Sequence, residues 1–268
     1  MRVRRKAQAR MDRRMSGRLA GKTALVTGAS RGMGFAIAQR FVAEGANVAL
    51  VARGKTELTE AASKIGANAA AFVCDVSDPA SVREAFAAVR SRFGRLDILV
   101  NNAALATPNP LSDARDSDMQ NEVAVNILGP IYCAREAASL MRRNGTGDIV
   151  NISSESVNHP YPHLGLYAAT KSALETLSAV MRQEFGPEGI RVTTYRSGNV
   201  RGTFSRTWTP DAKARAREAA RSAGFYARSG GQIEPEIPAE MILNIVTLPR
   251  EAQIDLVELR GAAQLPEG

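Results

Sequence analysis

The sequence has little cysteine, few aromatic residues and no long apolar run. Cys74 and Cys133 are the two cysteines among 268 residues, too few for a disulfide-stabilised scaffold and without metal-ligand spacing. Histidine occurs twice, so we expect no metal site. No run of roughly 18 or more uncharged apolar residues occurs, which argues against a transmembrane helix. These absences predict a reducing, cytoplasmic location.

Positive charge is concentrated at one end of the chain. The formal net charge is +8, but residues 1–18 contain eight basic residues and one acidic residue, so the remainder is nearly neutral. We predict that residues 1–19 form a disordered basic tail. A misassigned start, at Met11 or Met15, is an equally plain interpretation; an arm for an anionic surface and a transit peptide are further alternatives. Neither a membrane nor a nucleic acid is expected as a partner.

Short apolar runs alternate with helical patterns along the rest of the chain. The runs predict strands at 23–26, 48–51, 70–73, 96–100, 148–152, 190–194 and 254–259. The helical patterns lie at 35–44, 55–65, 79–93, 117–143 and 167–186. Short strands joined by helices need right-handed crossovers, which give a parallel sheet covered on both faces. The sequence therefore predicts a single doubly wound α/β domain of Rossmann type over residues 20–268, with about seven strands.

A glycine-rich turn directly follows the first predicted strand. Residues 27–34 read T-G-A-S-R-G-M-G and lead into a helix. Glycines at such a turn let the backbone approach a pyrophosphate, and the helix N-terminus offers free N–H groups to the anion. The spacing is G-x-x-x-G-x-G, which differs from the commonest dinucleotide fingerprint. The strand-turn-helix context nevertheless predicts a dinucleotide phosphate site.

A tyrosine and a lysine lie four residues apart at the start of a long predicted helix. Tyr167 and Lys171 therefore share a helix face, and a nearby cation is expected to lower the pKa of the phenol from about 10. Ser153 and Ser154 end the fifth predicted strand, at the edge where open α/β sheets bind ligands. A Tyr-x-x-x-Lys pair alone also occurs on solvated helices, but this set predicts proton-transfer chemistry.

Together these motifs resemble the short-chain dehydrogenase/reductase family over residues 22–202. The glycine turn fits the family's T-G-x-x-x-G-x-G, and residues 101–103 fit N-N-A-G, with alanine in place of the last glycine. Ser154 lies 13 residues before Tyr167, the family spacing that selects it over the neighbouring serine. Asn126 lies in a segment like the one that carries the family's catalytic asparagine.

The resemblance implies a reaction and a role for each matching residue. Tyr167 would act as general acid and base while a hydride moves between a nicotinamide and a carbonyl or secondary alcohol. Lys171 would hold the nicotinamide ribose, Ser154 would stabilise the substrate oxygen, and Asn126 would retain a water in the proton relay. A helix-bending polar residue is the alternative role for Asn126. The predicted cofactor-binding residues are Gly28, Ser30, Arg31, Gly32, Met33, Gly34, Arg53, Asp75, Val76, Asn102, Ala103, Tyr167, Lys171, Gly198 and Val200.

Two arginines predict NADP(H) rather than NAD(H) as the cofactor. NAD-preferring family members place an aspartate at the end of the second strand, where this chain has Ala52 followed by Arg53. Arg31 matches a second basic position of NADP-dependent members. Two guanidinium groups suit a 2′-phosphate. The alternative is that both arginines are ordinary exposed loop charges.

The chain also departs from the family pattern on the nicotinamide side. Ser197 stands where a proline normally precedes the glycine, and Gly202 stands where a threonine is usual, with Thr203 next to it. Residues 203–232 are expected to form a variable lid over the substrate. The C-terminus lacks the V-D-G-G ending of ketoacyl reductases, which weakens a ketoacyl-thioester reductase as the alternative.

We therefore predict an NADP(H)-dependent oxidoreductase that acts on a small-molecule carbonyl or secondary alcohol. A non-catalytic NADP(H)-binding sensor on the same fold is the main alternative, although a sensor needs none of the proton-transfer residues. A nucleic-acid-binding protein acting through the basic tail is a third. The family resemblance further implies a homodimer or homotetramer, assembled through the helices near 117–143 and 167–186.

Overall fold

The computed structural model describes residues 17–226 and 230–262. Most of the predicted basic tail and three positions of the predicted lid lie outside the described residues. Arg18 and Leu19, which we assigned to the tail, pack on the domain instead. Leu19 is buried in the core, and the backbone N–H of Arg18 donates to the Glu44 carboxylate at 2.7 Å. Hydrophobic burial of the leucine thus places the start of the folded domain before residue 20.

Seven parallel strands form one sheet in the order β3-β2-β1-β4-β5-β6-β7. The strands are β1 (Thr23–Thr27), β2 (Asn47–Ala52), β3 (Ala69–Val73), β4 (Ile98–Asn101), β5 (Gly147–Ser154), β6 (Ile190–Ser197) and β7 (Leu256–Leu259). The predicted doubly wound sheet of a single Rossmann-type domain is confirmed. The strand order reverses between β1 and β4, so a ligand-binding crevice is expected where these strands end.

Helices cover both faces of the sheet. Within the described residues they are α1 (Gly32–Ala43), α2 (Lys55–Ile65), α3 (Pro79–Phe93), α4 (Asp116–Val123), α5 (Gly129–Asn144), α6 (Gly165–Phe185), α7 (Pro210–Ser222) and α8 (Glu236–Val246). Helix α8 packs against α1 and was not predicted from the sequence. No helix in these ranges is long and apolar enough to cross a membrane.

The helix predicted over 117–143 is interrupted. A π-helical segment, Ala124–Leu128, joins α4 to α5. Pro130 lies in the first turn of α5 and has no N–H, so it cannot make the α-helical bond to the carbonyl of Asn126 four residues earlier. The Asn126 carbonyl thus has no α-helical donor at the point where the helix type changes.

Side chains of the strands alternate between two hydrophobic cores. Leu25 of β1 packs with Leu99 of β4 in the core on one face. Its neighbour Val26 packs with Phe41 of α1 and Leu50 of β2 on the other face. Because β1 is buried on both sides, its carboxyl end is a rigid base for the turn that follows it.

Candidate functional site

The glycine-rich turn between β1 and α1 brings backbone close to any ligand in the crevice. Gly28 and Gly32 have positive φ angles of 65° and 55°, a conformation that favours glycine. A Cβ on Gly34 would overlap the carbonyl oxygen of Gly28 and lie 2.5 Å from Nδ2 of Asn102. Glycine at position 34 therefore allows the start of α1 to pack directly against the Gly28 carbonyl and the Asn102 side chain.

The N-terminus of α1 faces this turn. Arg31 is the N-cap, and in the described part of the chain α1 has neither a side-chain cap nor an acidic residue in its first turn. Ser30 precedes the cap and Met33 lies in the first turn, as the cofactor prediction requires. The first N–H groups of α1 thus remain available to an anionic ligand, so the site fits the pyrophosphate of a dinucleotide.

Asn102 supports the glycine turn with its side chain. Its Nδ2 donates to the carbonyl oxygens of Thr27 and Gly28 at 2.8 and 3.3 Å. The hydroxyl oxygen of Thr27 accepts the backbone N–H groups of Asn102 and Ala103, each at 3.0 Å. These bonds join the end of β1 to the end of β4, so Asn102 helps to fix the backbone at the base of the crevice.

Asp75 and Val76 follow the end of β3. The Asp75 carboxylate accepts hydrogen bonds from the backbone N–H and the hydroxyl of Ser77, at 3.0 and 2.6 Å. Val76 is buried, and a Cβ on Gly129 would lie 3.1 Å from it. Both residues thus lie just beyond the end of β3 (Ala69–Val73), at the same carboxyl edge of the sheet as the crevice.

Gly198 and Val200 follow the end of β6. The N–H of Gly198 donates to the carbonyl of Leu259 at 2.8 Å, and a Cβ at this glycine would lie 2.5 Å from Cβ of Arg260. Val200 forms an isolated parallel bridge with Ile233. This segment therefore continues the sheet edge past Ser197 without the proline usual in the family.

The two predicted phosphate-binding arginines lie beside the start of α2. Arg53 is exposed and forms no ion pair with any described residue. Arg31 pairs with Glu57, with its Nη1 3.1 Å from Oε2, and Arg206 reaches the same carboxylate with its Nη1 2.7 Å from Oε1. This bridge could not be predicted from the sequence, because Arg206 lies 149 residues from Glu57 along the chain.

Ser154 and Tyr167 come together where β5 ends and α6 begins. Burial raises the pKa of Tyr167 above its ordinary value, and a hydrogen bond with the Ser154 hydroxyl only partly offsets that effect. The phenol is therefore protonated at neutral pH. The neighbouring hydroxyl of Ser153 instead donates to Glu175 at 2.6 Å.

Lys171 lies one turn along α6, under the tyrosine. Its side chain is buried, and its Nζ donates to the carbonyl oxygen of Ile152 at 2.8 Å and lies 5.7 Å from the centre of the Tyr167 ring. Burial lowers the pKa of Lys171 to about 8. The expectation that the lysine lowers the tyrosine pKa is wrong for this structure, because burial of the phenol dominates.

Asn126 lies in the π-helical segment and is fully buried. Its Nδ2 donates to the carbonyl oxygen of Leu105 at 2.8 Å and to the hydroxyl of Thr170 at 3.1 Å, and its Oδ1 accepts the N–H of Leu105 at 3.0 Å. The side chain therefore ties the segment after β4 to α6, directly beside Lys171.

The segment that follows β6 covers the tyrosine. The Phe204 ring lies 5.3 Å from the Tyr167 ring, and Trp208 lies 5.8 Å from Phe204. The indole N–H of Trp208 donates to the carbonyl oxygen of Ala106 at 2.7 Å. A cavity of about 400 Å³ lies between this segment, the segment after β4 and α4. The described part of the predicted lid thus lies over the predicted catalytic residues.

Two buried carboxyl groups lie next to predicted catalytic residues and were not predicted from the sequence. Glu122 lies one helical turn before Asn126, and its Oε1 accepts the N–H of Thr107 at 2.6 Å. Glu155 directly follows Ser154, and its carboxyl group lies within electrostatic range of Glu258 and Arg260. Burial raises the pKa of each carboxyl to about 7. A glutamate normally lies on the surface, so its residue type gave no sign of burial.

No cluster of three or more histidine, cysteine, aspartate or glutamate side chains in the described ranges is arranged to hold a metal ion. The polar groups at the crevice are instead a phenol, a hydroxyl, an amine and backbone N–H groups. That set matches hydrogen bonding and proton transfer to organic ligands.

Comparison with known proteins agrees with this geometry. The family model for short chain dehydrogenases matches residues 22–213. The chain is 37% identical over 180 residues to a D-threitol dehydrogenase of Mycolicibacterium smegmatis, a match that covers 66% of this chain and 69% of the relative.

Solved structures of similar proteins contain nicotinamide cofactors. An alcohol dehydrogenase from the archaeon Thermococcus sibiricus, complexed with 5-hydroxy-NADP, is similar with a TM-score of 0.77 and 28% identity, over 92% of this chain and 99% of that one. A 3-ketoacyl-(acyl-carrier-protein) reductase from Brucella melitensis, complexed with NADH, gives a TM-score of 0.81 and 28% identity, over 92% and 100%. The chain belongs to the short-chain dehydrogenase family and is an oxidoreductase.

Proposed function

We propose that this protein is an NADP(H)-dependent oxidoreductase acting on a carbonyl or secondary alcohol, with Tyr167 as general acid and base. The observation that carries the proposal is the position of Lys171 Nζ, 5.7 Å from the centre of the Tyr167 ring, with Ser154 at the end of β5 close enough to act on the pKa of the phenol. A protein that only senses a dinucleotide has no use for this arrangement.

The bound cofactor would supply or accept the hydride. In the direction of reduction, the Tyr167 phenol donates its proton to the carbonyl oxygen of the substrate. The raised pKa of this phenol keeps the proton in place until the oxygen becomes basic enough to take it. The hydroxyl of Ser154 donates to the same oxygen and stabilises the charge that develops there.

Lys171 and Asn126 are positioned to support this proton transfer. The Lys171 ammonium is fixed by the Ile152 carbonyl and would hold the ribose hydroxyls of the cofactor. Because burial lowers its pKa to about 8, the amine exchanges a proton readily near neutral pH. Asn126 holds Thr170, the residue before Lys171, through its side-chain amide, and so helps to fix this part of α6.

NADP(H) is the cofactor that the charges favour. Arg31 and Arg53 flank the end of β2, where Ala52 supplies no carboxylate to repel a 2′-phosphate. Glu57 neutralises Arg31 in the ligand-free protein, and a phosphate dianion, with its higher charge, would compete for that arginine. One similar solved structure is a complex with an NADP analogue and another is a complex with NADH. We therefore infer NADP(H) rather than NAD(H) from these local charges.

We also propose that the protein forms a homo-oligomer through α4, α5 and α6. Leu128, the last residue of the π-helical segment that leads into α5, is 37% exposed, and Val180 of α6 is 44% exposed. Apolar side chains on two long helices would be covered by a second copy of the chain. Light scattering coupled to size-exclusion chromatography should give twice or four times the mass of one chain, and a monomer at micromolar concentration would contradict the proposal.

A substrate screen tests the proposed reaction. NADPH oxidation should be followed with ketones, quinones, sugars and ketoacyl thioesters, and NADP⁺ reduction with the corresponding alcohols. We expect turnover in at least one class, with NADPH preferred to NADH. The similar proteins are named for D-threitol, an alcohol and a ketoacyl thioester, so these classes come first. Tight NADPH binding without turnover in any class would favour the sensor.

A further inference from the structure

One carboxylate joins arginines from two distant parts of the chain. Oε1 of Glu57 lies 3.3 Å from Nη1 of Arg31 and 2.7 Å from Nη1 of Arg206. Arg31 belongs to the glycine turn and Glu57 to the first turn of α2, whereas Arg206 lies in the segment that follows β6. A single anion thus already bridges these two guanidinium groups. Arg31 has a role in the proposed cofactor binding, and Arg206 has none.

Arg206 is carried by residues 201–209, which we call the covering segment. The segment turns sharply here, because the N–H of Arg206 donates to the carbonyl oxygen of Thr203 at 3.0 Å. A Cβ at Gly32 would lie 3.9 Å from the hydroxyl oxygen of Thr203. The covering segment therefore passes close to the glycine turn, the part of the crevice that fits the pyrophosphate of a dinucleotide.

The covering segment also reaches the proposed reaction centre. The Phe204 ring lies 5.3 Å from the Tyr167 ring, and the indole N–H of Trp208 donates to the carbonyl oxygen of Ala106 at 2.7 Å. Both aromatic residues lie two positions from Arg206 along the chain. The segment thus spans the crevice, with Arg206 on the side of α2 and the two aromatic rings on the side of Tyr167.

The ion pair between Arg206 and Glu57 is open to solvent. The two side chains are 58% and 42% exposed, so a ligand can reach the guanidinium group. Exposed ion pairs contribute little to stability, and Glu57 therefore yields Arg206 readily to a stronger anion. A phosphate monoester is such an anion, because it carries a charge of about −1.5 to −2 at pH 7 and three strong acceptor oxygens. Arginine forks suit these oxygens geometrically.

We propose that Arg206 is a specificity-determining residue that joins Arg31 in binding the 2′-phosphate of NADP(H), so that the phosphorylated cofactor holds the covering segment over Tyr167. This inference rests on the proposed NADP(H) dependence. In the ligand-free protein the Glu57 carboxylate occupies the position between the two arginines. NAD(H) has a neutral hydroxyl in place of the phosphate, which cannot replace an ionised carboxylate, and it therefore leaves Arg206 paired with Glu57.

Two nucleotide fragments test the contact without any turnover. Adenosine 2′,5′-bisphosphate carries the 2′-phosphate but no nicotinamide, and 5′-AMP lacks the 2′-phosphate as well. Isothermal titration calorimetry gives the dissociation constant of each fragment for the wild type and for Arg206→Gln. We expect Arg206→Gln to raise the dissociation constant of the bisphosphate by about fivefold to tenfold, because hydrogen bonds to charged groups are strong but are screened at an open site. The value for 5′-AMP should stay unchanged.

A second arginine of the covering segment provides the matched control. Arg201 is exposed, and its Nε lies 2.9 Å from Oε1 of Glu234 rather than beside Glu57. Arg201→Gln removes the same charge from the same segment and leaves the arginines at α2 in place. The dissociation constant of the bisphosphate should therefore stay near the wild-type value in this variant.

Trp208 reports the position of the covering segment directly. It is the only tryptophan of the chain and lies two residues from Arg206, so quenching of its fluorescence by acrylamide measures how firmly the segment is held. Saturating adenosine 2′,5′-bisphosphate should lower the quenching constant of the wild type, whereas 5′-AMP should leave it unchanged. In Arg206→Gln the decrease should be lost, even at bisphosphate concentrations that saturate the variant.

The outcomes separate this inference from the function on which it rests. Equal affinity of the wild type for the bisphosphate and for 5′-AMP overturns the NADP(H) dependence itself. Tighter binding of the bisphosphate that Arg206→Gln does not weaken, or that Arg201→Gln weakens equally, overturns the role of Arg206 and leaves the NADP(H) dependence standing. An unchanged quenching constant of Trp208 in the wild type at saturating bisphosphate overturns the link between the phosphate and the covering segment.

Discussion

The Nζ atom of Lys171 lies 5.7 Å from the centre of the Tyr167 ring and donates its hydrogen bond to the carbonyl oxygen of Ile152. Burial acts on the two groups in opposite directions. It raises the pKa of the phenol and lowers that of the amine to about 8. The ligand-free site thus disfavours charge on both groups, and the phenol keeps the proton that carbonyl reduction requires.

Removal of the phenolic hydroxyl should abolish turnover but leave the cofactor site intact. Tyr167→Phe keeps the ring packed against Phe204 and removes the proton donor, so we expect kcat to fall by about 10²–10⁴-fold. The dissociation constant for NADPH, measured by fluorescence titration, should stay near the wild-type value. Substantial turnover in the variant would show that another group transfers the proton.

The buried lysine should make stability depend on pH in a specific window. The pKa of Lys171 is about 8 in the folded protein, whereas the ordinary value for an unburied lysine, as in the unfolded chain, is 10.5. Between these values the unfolded chain binds more protons, so stability rises with pH; below about 8 the full cost of burying the charge applies. Lys171→Met should therefore be the more stable protein at pH 7, by up to roughly 3 kcal/mol.

Urea unfolding at several pH values checks this prediction. The difference in the free energy of unfolding between Lys171→Met and the wild type should shrink as pH rises from about 8 to about 10.5, following the two pKa values. Comparing the two proteins cancels the titration of all other groups. A difference that is independent of pH would mean that the lysine is not desolvated in solution.

Local patterns were sufficient to predict the sheet and most helices. The helices predicted at 55–65 and 79–93 match α2 and α3 at both ends, because Gly54 and Asp78 mark their starts and glycines follow their ends. The π-helical segment was missed, because a change in helix type over five residues leaves no mark in the hydrophobic period.

Contacts between distant segments could not be predicted in the same way. Glu122 lies on a helix in a sequence pattern typical of an exposed residue, and only the packing of the segment after β4 buries it. The pairing of Arg206 with Glu57 likewise depends on where the chain beyond β6 crosses the crevice. Motifs identified the reacting groups, whereas burial and charge pairing around those groups required the folded chain.

Close packing at the glycine turn should make a single methyl group damaging. Gly34→Ala would place a Cβ against the carbonyl oxygen of Gly28 and 2.5 Å from Asn102 Nδ2, so the turn must move away from its anion-binding shape. We expect the dissociation constant for NADPH to rise at least about tenfold, the equivalent of 1.4 kcal/mol.

A glycine in open space provides the control for this change. Gly54 has a φ of −79°, and a Cβ there meets nothing within 4 Å, so Gly54→Ala should bind NADPH as the wild type does. Thermal melting of both variants separates loss of the turn from loss of the fold. Wild-type affinity in a folded Gly34→Ala protein would show that the ligand does not approach this turn.

The arginine pair should govern the choice between the two cofactors. Replacing both Arg31 and Arg53 by alanine removes two guanidinium groups that suit a 2′-phosphate. Because hydrogen bonds to charged groups contribute about 1.5–3 kcal/mol, KM for NADPH should rise by about tenfold or more. KM for NADH, which lacks the phosphate, should change little. An equal effect on both cofactors would contradict the NADP(H) assignment.

Glu57 should act against NADP(H) by occupying Arg31, one of the arginines that would bind the 2′-phosphate. It pairs with Arg31 at 3.1 Å and Arg206 at 2.7 Å, and all three side chains are more than 40% exposed. Exposed pairs of this kind are worth about 1 kcal/mol or less. Glu57→Gln should therefore lower KM for NADPH by only about twofold to fivefold, and leave KM for NADH unchanged.

Salt and a neighbouring glutamate distinguish this competition from a general charge effect. Glu60 is exposed on the same helix, so Glu60→Gln removes the same charge without releasing either arginine and should leave KM for NADPH near the wild-type value. The difference between the two variants should narrow as ionic strength rises, because screening weakens the pairs that Glu57 makes. If both variants lower KM for NADPH equally, the effect comes from net charge, and Glu57 does not compete with the cofactor.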